Sequence, residues 1–135
     1  MGAPQLVALL PSEDLLQTIV QADRRFSLHR LIFDLYSAAF PARVPQLVVT
    51  LVFCGGTGEY SGALTVAGPG GDILVETPFT FTARTYHVQA VNLSGLQLPE
   101  PGPYRLTAFL EGQPVLVAPL VAVQLRPGED QEMAQ

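Results

Sequence analysis

The sequence predicts an all-β fold, a sandwich of about seven to eight antiparallel strands. Three observations carry this. Clusters of Gly, Pro, Asp and Ser punctuate the chain about every 8–12 residues, the spacing of strand-and-turn folds. Several intervening segments alternate apolar and polar residues, the period of a strand with one buried face. No helical pattern alternates with these segments, which removes the α/β classes. At 135 residues the chain makes one domain with a proper core, expected over residues 1–125. The polar, acidic residues 126–135 (RPGEDQEMAQ) are expected to fray.

Residues 4–10 (PQLVALL) read as a first strand. Residues 12–25 are ambiguous. Ser12, Glu13 and Asp14 resemble a helix start, and Leu15, Leu16, Ile19 and Val20 would share a helical face. Against a helix stand the β-branched pair Ile19-Val20 and an end at Asp23-Arg24-Arg25 that lacks a glycine. A short helix and an irregular turn both stay open. Residues 26–36 (FSLHRLIFDLY) read as one strand whose polar residues change faces midway, which suggests a bulge or a crossing between sheets. Pro41 and Pro45 then break any ladder.

Residues 46–54 are apolar on both faces, as in a central strand. The glycine-rich Gly55–Gly58 stretch ends it, without the Lys-Ser/Thr or spacing of a phosphate cradle. Residues 60–67 and 73–76 flank the turn Gly68-Pro69-Gly70-Gly71-Asp72. In residues 79–84, Phe79, Phe81 and Ala83 go inward, while Thr80, Thr82 and Arg84 go to water. Residues 87–98 continue as strand with a bulge near Ser94-Gly95. The closing hairpin spans residues 99–124, with strands over 104–110 and 115–123 joined at Glu111-Gly112-Gln113. Tyr104 is expected to cap a neighbouring loop through its hydroxyl, in the manner of a tyrosine corner.

Three segments together resemble an uncharacterised family of bacterial β-sandwich domains. They are LLPSEDLLQTIVQADRRFSLHRLIFDLYSAAFP, the stretch from Gly55 to Asp72, and VNLSGLQLPEPGPYRLTAFLEGQPVLVAPLVAV. The family often has a cysteine where this chain has Pro11 or Ser12, so whatever that cysteine does is absent here. The resemblance implies an immunoglobulin-like antiparallel β-sandwich and no particular activity. It also favours turn and strand, rather than a long helix, over residues 12–25.

Composition bears on function. Charged residues make up 14% of the chain, against roughly 25% in ordinary domains, while hydrophobic residues reach 48%. Such a chain has difficulty covering its surface with polar groups, so self-association as a homodimer is expected. The strand over 115–123 is apolar on both faces, which makes Leu116, Leu120, Val121 and Val123 the candidate interface residues. Net charge is −5 and the seven arginines are scattered, so no nucleic-acid partner is expected. No apolar run nears the roughly 18 residues of a membrane helix, and no membrane partner is expected. The N-terminal apolar stretch is too short for a signal-peptide core, so a cytoplasmic setting is expected. Cys54 is the one cysteine, which excludes an intrachain disulfide and a cysteine pair for a metal; a buried small hydrophobe is the favoured reading.

No catalytic, cofactor or metal residues are assigned. His29 and His87 each lie within a strand segment with no second ligand two residues on. Ser27 or Ser37, His29 and Asp34 assemble a triad only on paper, without a nucleophile elbow. Asp34 reads better as a salt bridge to Arg30 or Arg84, or as an edge-strand charge. The leading reading is a non-enzymatic structural or protein-interaction domain. The alternative is a small-ligand or glycan-binding module using Tyr60, Tyr86 and the 55–59 loop.

Overall fold

The computed structural model describes residues 2–20 and 23–126. Among these the fold is all-β, with eleven strands and no helix. One sheet runs β2-β1-β5-β8, made of β1 (Gln5–Val20), β2 (Asp23–Leu31), β5 (Val48–Cys54) and β8 (Tyr86–Asn92). The second runs β3-β11-β10-β6-β7, made of β3 (Asp34–Ser37), β6 (Glu59–Ala67), β7 (Ile73–Thr82), β10 (Gly102–Leu110) and β11 (Gln113–Gln124). A separate antiparallel pair joins β4 (Ala42–Val44) to β9 (Leu96–Leu98). The ladders are antiparallel except for β3 on β11, which is parallel. The acidic tail expected over 126–135 lies, apart from Arg126, outside the described residues.

The two large sheets share one core. Val49, Leu51 and Phe53 of β5 and Val91 of β8 meet Leu64, Val66, Leu106, Ala108 and Leu120 from the other sheet. The expected inward placement of Phe81 and Ala83 is observed, with Phe79 half-buried against the same core. Segments 73–76 and 79–84, expected to be separate, run together as β7 through Pro78. Because β7 is an edge strand, the missing proline N–H costs no ladder bond there.

Two local readings are corrected. The helix considered for residues 12–25 is not formed; Ser12 to Val20 pair with Asp23 to Leu31 in a long hairpin, whose connecting residues 21 and 22 lie outside the described ones. Pairing along the whole length outweighs the weak local capping signal, since helix propensities differ by only tenths of a kcal/mol per residue. The strand expected over 26–36 is two strands in two sheets. The crossing is at Ile32-Phe33: the Ile32 N–H donates to the Pro11 carbonyl at 2.9 Å, and the Phe33 carbonyl accepts from the Val121 N–H at 2.8 Å. The mid-segment switch of polar residues marks this crossing.

The closing hairpin turns on two residues, Glu111 (φ 50°) and Gly112 (φ 80°), so Gln113 already pairs with Leu110. Positive φ at both positions is the type I′ geometry that matches strand twist. Glu111 tolerates it because its carboxylate and its N–H both bond the Ser61 backbone, each at 2.8 Å. Tyr104, fully buried at the start of β10, donates its hydroxyl hydrogen to the Glu100 carbonyl and accepts from the Glu100 N–H at 3.1 Å. This is the loop-capping role expected of it. Tyr104→Phe deletes both bonds at nearly constant volume and is expected to cost about 1–3 kcal/mol. A urea midpoint lowered at constant m-value is the expected readout, and an unchanged midpoint would show that the corner contributes nothing.

Candidate functional site

Two surfaces stand out, one on each large sheet. The first arises because β1 serves two partners. Gln5 to Ser12 pair with β5, whereas Ser12 to Val20 pair with β2. At the joint the register skips Glu13 and Arg30, and Arg30 is left-handed (φ 59°). The Ser12 hydroxyl donates to the Asp14 carbonyl at 2.9 Å, and the Arg30 Nε lies 3.9 Å from Glu13 Oε1. A left-handed arginine within a ladder locally re-aims the strand.

Beyond this bend the β1–β2 arm folds back over the outward face of its own sheet. Leu15, Arg24, Phe26 and Leu28 of the arm face Leu10, Thr50, Val52, Tyr86 and Val88 across a groove of about 450 Å³. The register gives the direction. Leu15 and Leu28 pair close to the bend, whereas Arg24 pairs with Ile19 near the arm's end. The Arg24 guanidinium lies 5.6 Å from the centre of the Tyr86 ring. Tyr86 pairs with Cys54, at the end of β5 remote from the bend. Arg24 and Tyr86 stand on opposite edge strands, roughly 14 Å apart in a flat sheet, and their contact spans the curled one.

The arm explains why β5 is partly covered on the face away from the main core as well. Val49, Leu51 and Phe53 face the main core, and Thr50 on the other face is only 3% exposed. Its Oγ1 has no hydrogen-bond partner. Such a hydroxyl is uncommon in a folded interior and draws attention to the groove floor. Cys54, expected to be buried, is half-buried at the end of β5.

The two candidate tyrosines do not form one patch. Tyr60 lies against the core, its ring 6.1 Å from that of Phe81. His87 stacks on the same Phe81 at 4.7 Å, which puts its strand neighbour Tyr86 on the opposite face, in the groove. Strand alternation separates what sequence reading had paired.

The second surface is the outward face of the five-stranded sheet. In its register, cross-strand neighbours form rows: Val117, Thr107, Thr65 and Glu76; Pro114, Phe109, Ala63 and Pro78; and Pro119, Arg105 and Ala67. Charge enters these rows only through Glu76 and Arg105. Val115, Leu116 and Val117 are exposed at one side, Val117 to 53%. Of the four candidate interface residues, Leu116 is exposed and Val121 and Val123 are half-buried. Leu120 is a correction: it is 0% exposed, in the chain's own core, and presents nothing to a partner. The Val121 N–H points away from β10, to Phe33, so Pro119 two residues earlier faces the same side with no N–H to offer.

The remaining candidates are dispersed. His29 lies exposed on β2 and Asp34 exposed on β3, in different sheets. Arg30 is beside Glu13 rather than Asp34, which leaves Asp34 as a charge on an edge strand. The His87 Nε2 lies 2.8 Å from Gln89 Oε1. Among the described residues no three of His, Cys, Asp and Glu are grouped to hold a metal. No helix among them is long and apolar enough to cross a membrane. The chain matches no family model, and no curated protein is detectably similar to it. Sequence reading missed Arg24, Phe26, Leu28 and Thr50; the one available signal was Thr50, a lone polar residue within LVVTLVFC.

Proposed function

We propose that the chain is a non-enzymatic interaction domain of immunoglobulin-like build, which pairs with a second copy of itself through the outward face of the five-stranded sheet. The topology supports the build. In immunoglobulin order, β1, β5 and β8 take the places of strands A, B and E, and β7, β6, β10 and β11 those of C′, C, F and G. The corner tyrosine then stands at the start of strand F, where such domains carry it. The β1–β2 arm is an addition to that plan. A cytoplasmic setting belongs to the same reading, since a chain with one cysteine forgoes the disulfides of oxidising compartments.

The observation that carries self-association is Val117, exposed on the β11 side of a face that also holds Phe109, Pro119 and Ala63. A solvated sheet face ordinarily alternates into polar residues. The proline at the open edge favours packing of face on face over addition of a strand. A stable dimer needs about 800 Å² from each partner, so the contact extends across several of these rows.

The test is sedimentation equilibrium of the whole chain and of Val117→Asp. The parent is expected to dimerise at micromolar concentration. The variant should stay folded and dissociate at least 100-fold more readily, as about 3 kcal/mol of carboxylate desolvation would produce. A parent that is monomeric at high micromolar concentration would sink the proposal.

A further inference from the structure

We infer that the groove under the β1–β2 arm binds an aliphatic carboxylate that carries a second oxygen on its chain. The groove lies on the sheet opposite the self-association face, so the inference stands apart from that reading.

The chemistry of the lining selects this ligand class. Leu10, Leu15, Phe26, Leu28, Val52 and Val88 provide apolar walls, and a volume of about 450 Å³ falls within the ordinary range of small-ligand sites. Charge enters the lining only as a cation. Arg24 stands at the end where Tyr86 is open to solvent, and no Asp or Glu lines the groove. The nearby Asp14 carboxylate is turned to its own chain, accepting from the Leu15 N–H at 2.8 Å. An anionic head would therefore meet the guanidinium, whose fork matches a carboxylate, and the phenol beside it.

Thr50 supplies the second point of recognition. It is the polar residue on the groove floor, 3% exposed, with an unpartnered Oγ1. The hydroxyl is covered, so a ligand oxygen would satisfy it by displacing the side chains above it, whereas a plain hydrocarbon chain would leave it unmet. Thr50 stands four residues before Cys54, which pairs with Tyr86, so the two recognition points are roughly 13 Å apart along the strand. An extended chain of about decanoate length matches that span.

The experiment is titration calorimetry of the whole protein with decanoate, its terminally hydroxylated analogue and decanol. The hydroxylated acid is expected to bind at least tenfold more tightly than decanoate, and decanol at least tenfold more weakly than decanoate. Arg24→Gln should weaken both acids about tenfold, the scale of one lost charge-assisted contact. Thr50→Val should erase the preference for the hydroxylated acid, and Thr50→Ser should keep it. Arg24 is a surface residue and Thr50→Val is nearly isosteric, so both proteins are expected to fold, which circular dichroism checks. Repeating the titration in Val117→Asp, where the affinity should be unchanged, separates this site from self-association. Absence of binding at about 1 mM, equal affinity for the two acids, or indifference to Arg24→Gln would each overturn the inference.

Discussion

Replacing Leu120 by aspartate is expected to abolish the cooperative fold. Leu120 is fully buried, pairs with Tyr104 across β10 and faces the same core as Ala118 and Ala122. A carboxylate there would have to lie unpaired among apolar groups or bind a proton. Either course costs several kcal/mol, a large share of the 5–15 kcal/mol that holds a domain together. The expected readout is loss of the sigmoidal urea transition and of dispersed amide proton signals. Val117→Asp, three residues earlier on the other face, should retain both. The pair reads the phase of β11 directly. A folded, monomeric Leu120→Asp protein would mean that Leu120 serves an interface and that the core assignment of this strand is wrong.

Phe53→Ala is the second large effect. Phe53 is 1% exposed, and its ring stacks on Phe81 with centroids 4.5 Å apart. Phe79 leans on it at 6.2 Å. The cluster continues from Phe81 to His87 and Tyr60, so it joins β5 and β8 of one sheet to β6 and β7 of the other. Truncation removes the transfer energy of a large side chain and leaves a cavity that rigid strands close only in part. The expected cost is about 3–5 kcal/mol, including the aromatic contacts. For a chain of this size that lowers the melting temperature by roughly 10–20 °C. Cys54→Ala at the neighbouring half-buried position should cost no more than about 1 kcal/mol and serves as the reference. Equal losses for the two variants would show that the aromatic cluster does not bind the sheets together.

Much of the fold is legible along the chain where one face is clearly polar. Residues 79–84 alternate without ambiguity, and Phe81, Ala83 and Thr82 lie where that alternation puts them. The Glu111-Gly112 turn is legible because its glycine suits a positive φ. The sheet crossing inside FSLHRLIFDLY is also visible, as polar residues that change parity. The candidate site is far less legible. In β11 both parities are apolar, so the period is plain but the phase carries no information, and the candidate interface takes residues from both faces, the buried Leu120 among them. Tyr60 and Tyr86 gave no hint that they stand on opposite faces, because that depends on which sheet each strand joins.

The groove shows the same limit. Nothing local announces that the arm bends at Glu13 and Arg30 and returns over Thr50 and Val52. The existence of the strands, the positions of the turns and the shortage of surface charge follow from the residues in order, because periodicity, turn chemistry and composition act within a few residues. The allocation of strands to sheets, the inward face of β11 and the isolation of the Thr50 hydroxyl do not. They arise from pairing and burial between segments distant in the chain, where each apolar face settles against whichever partner removes most of it from water.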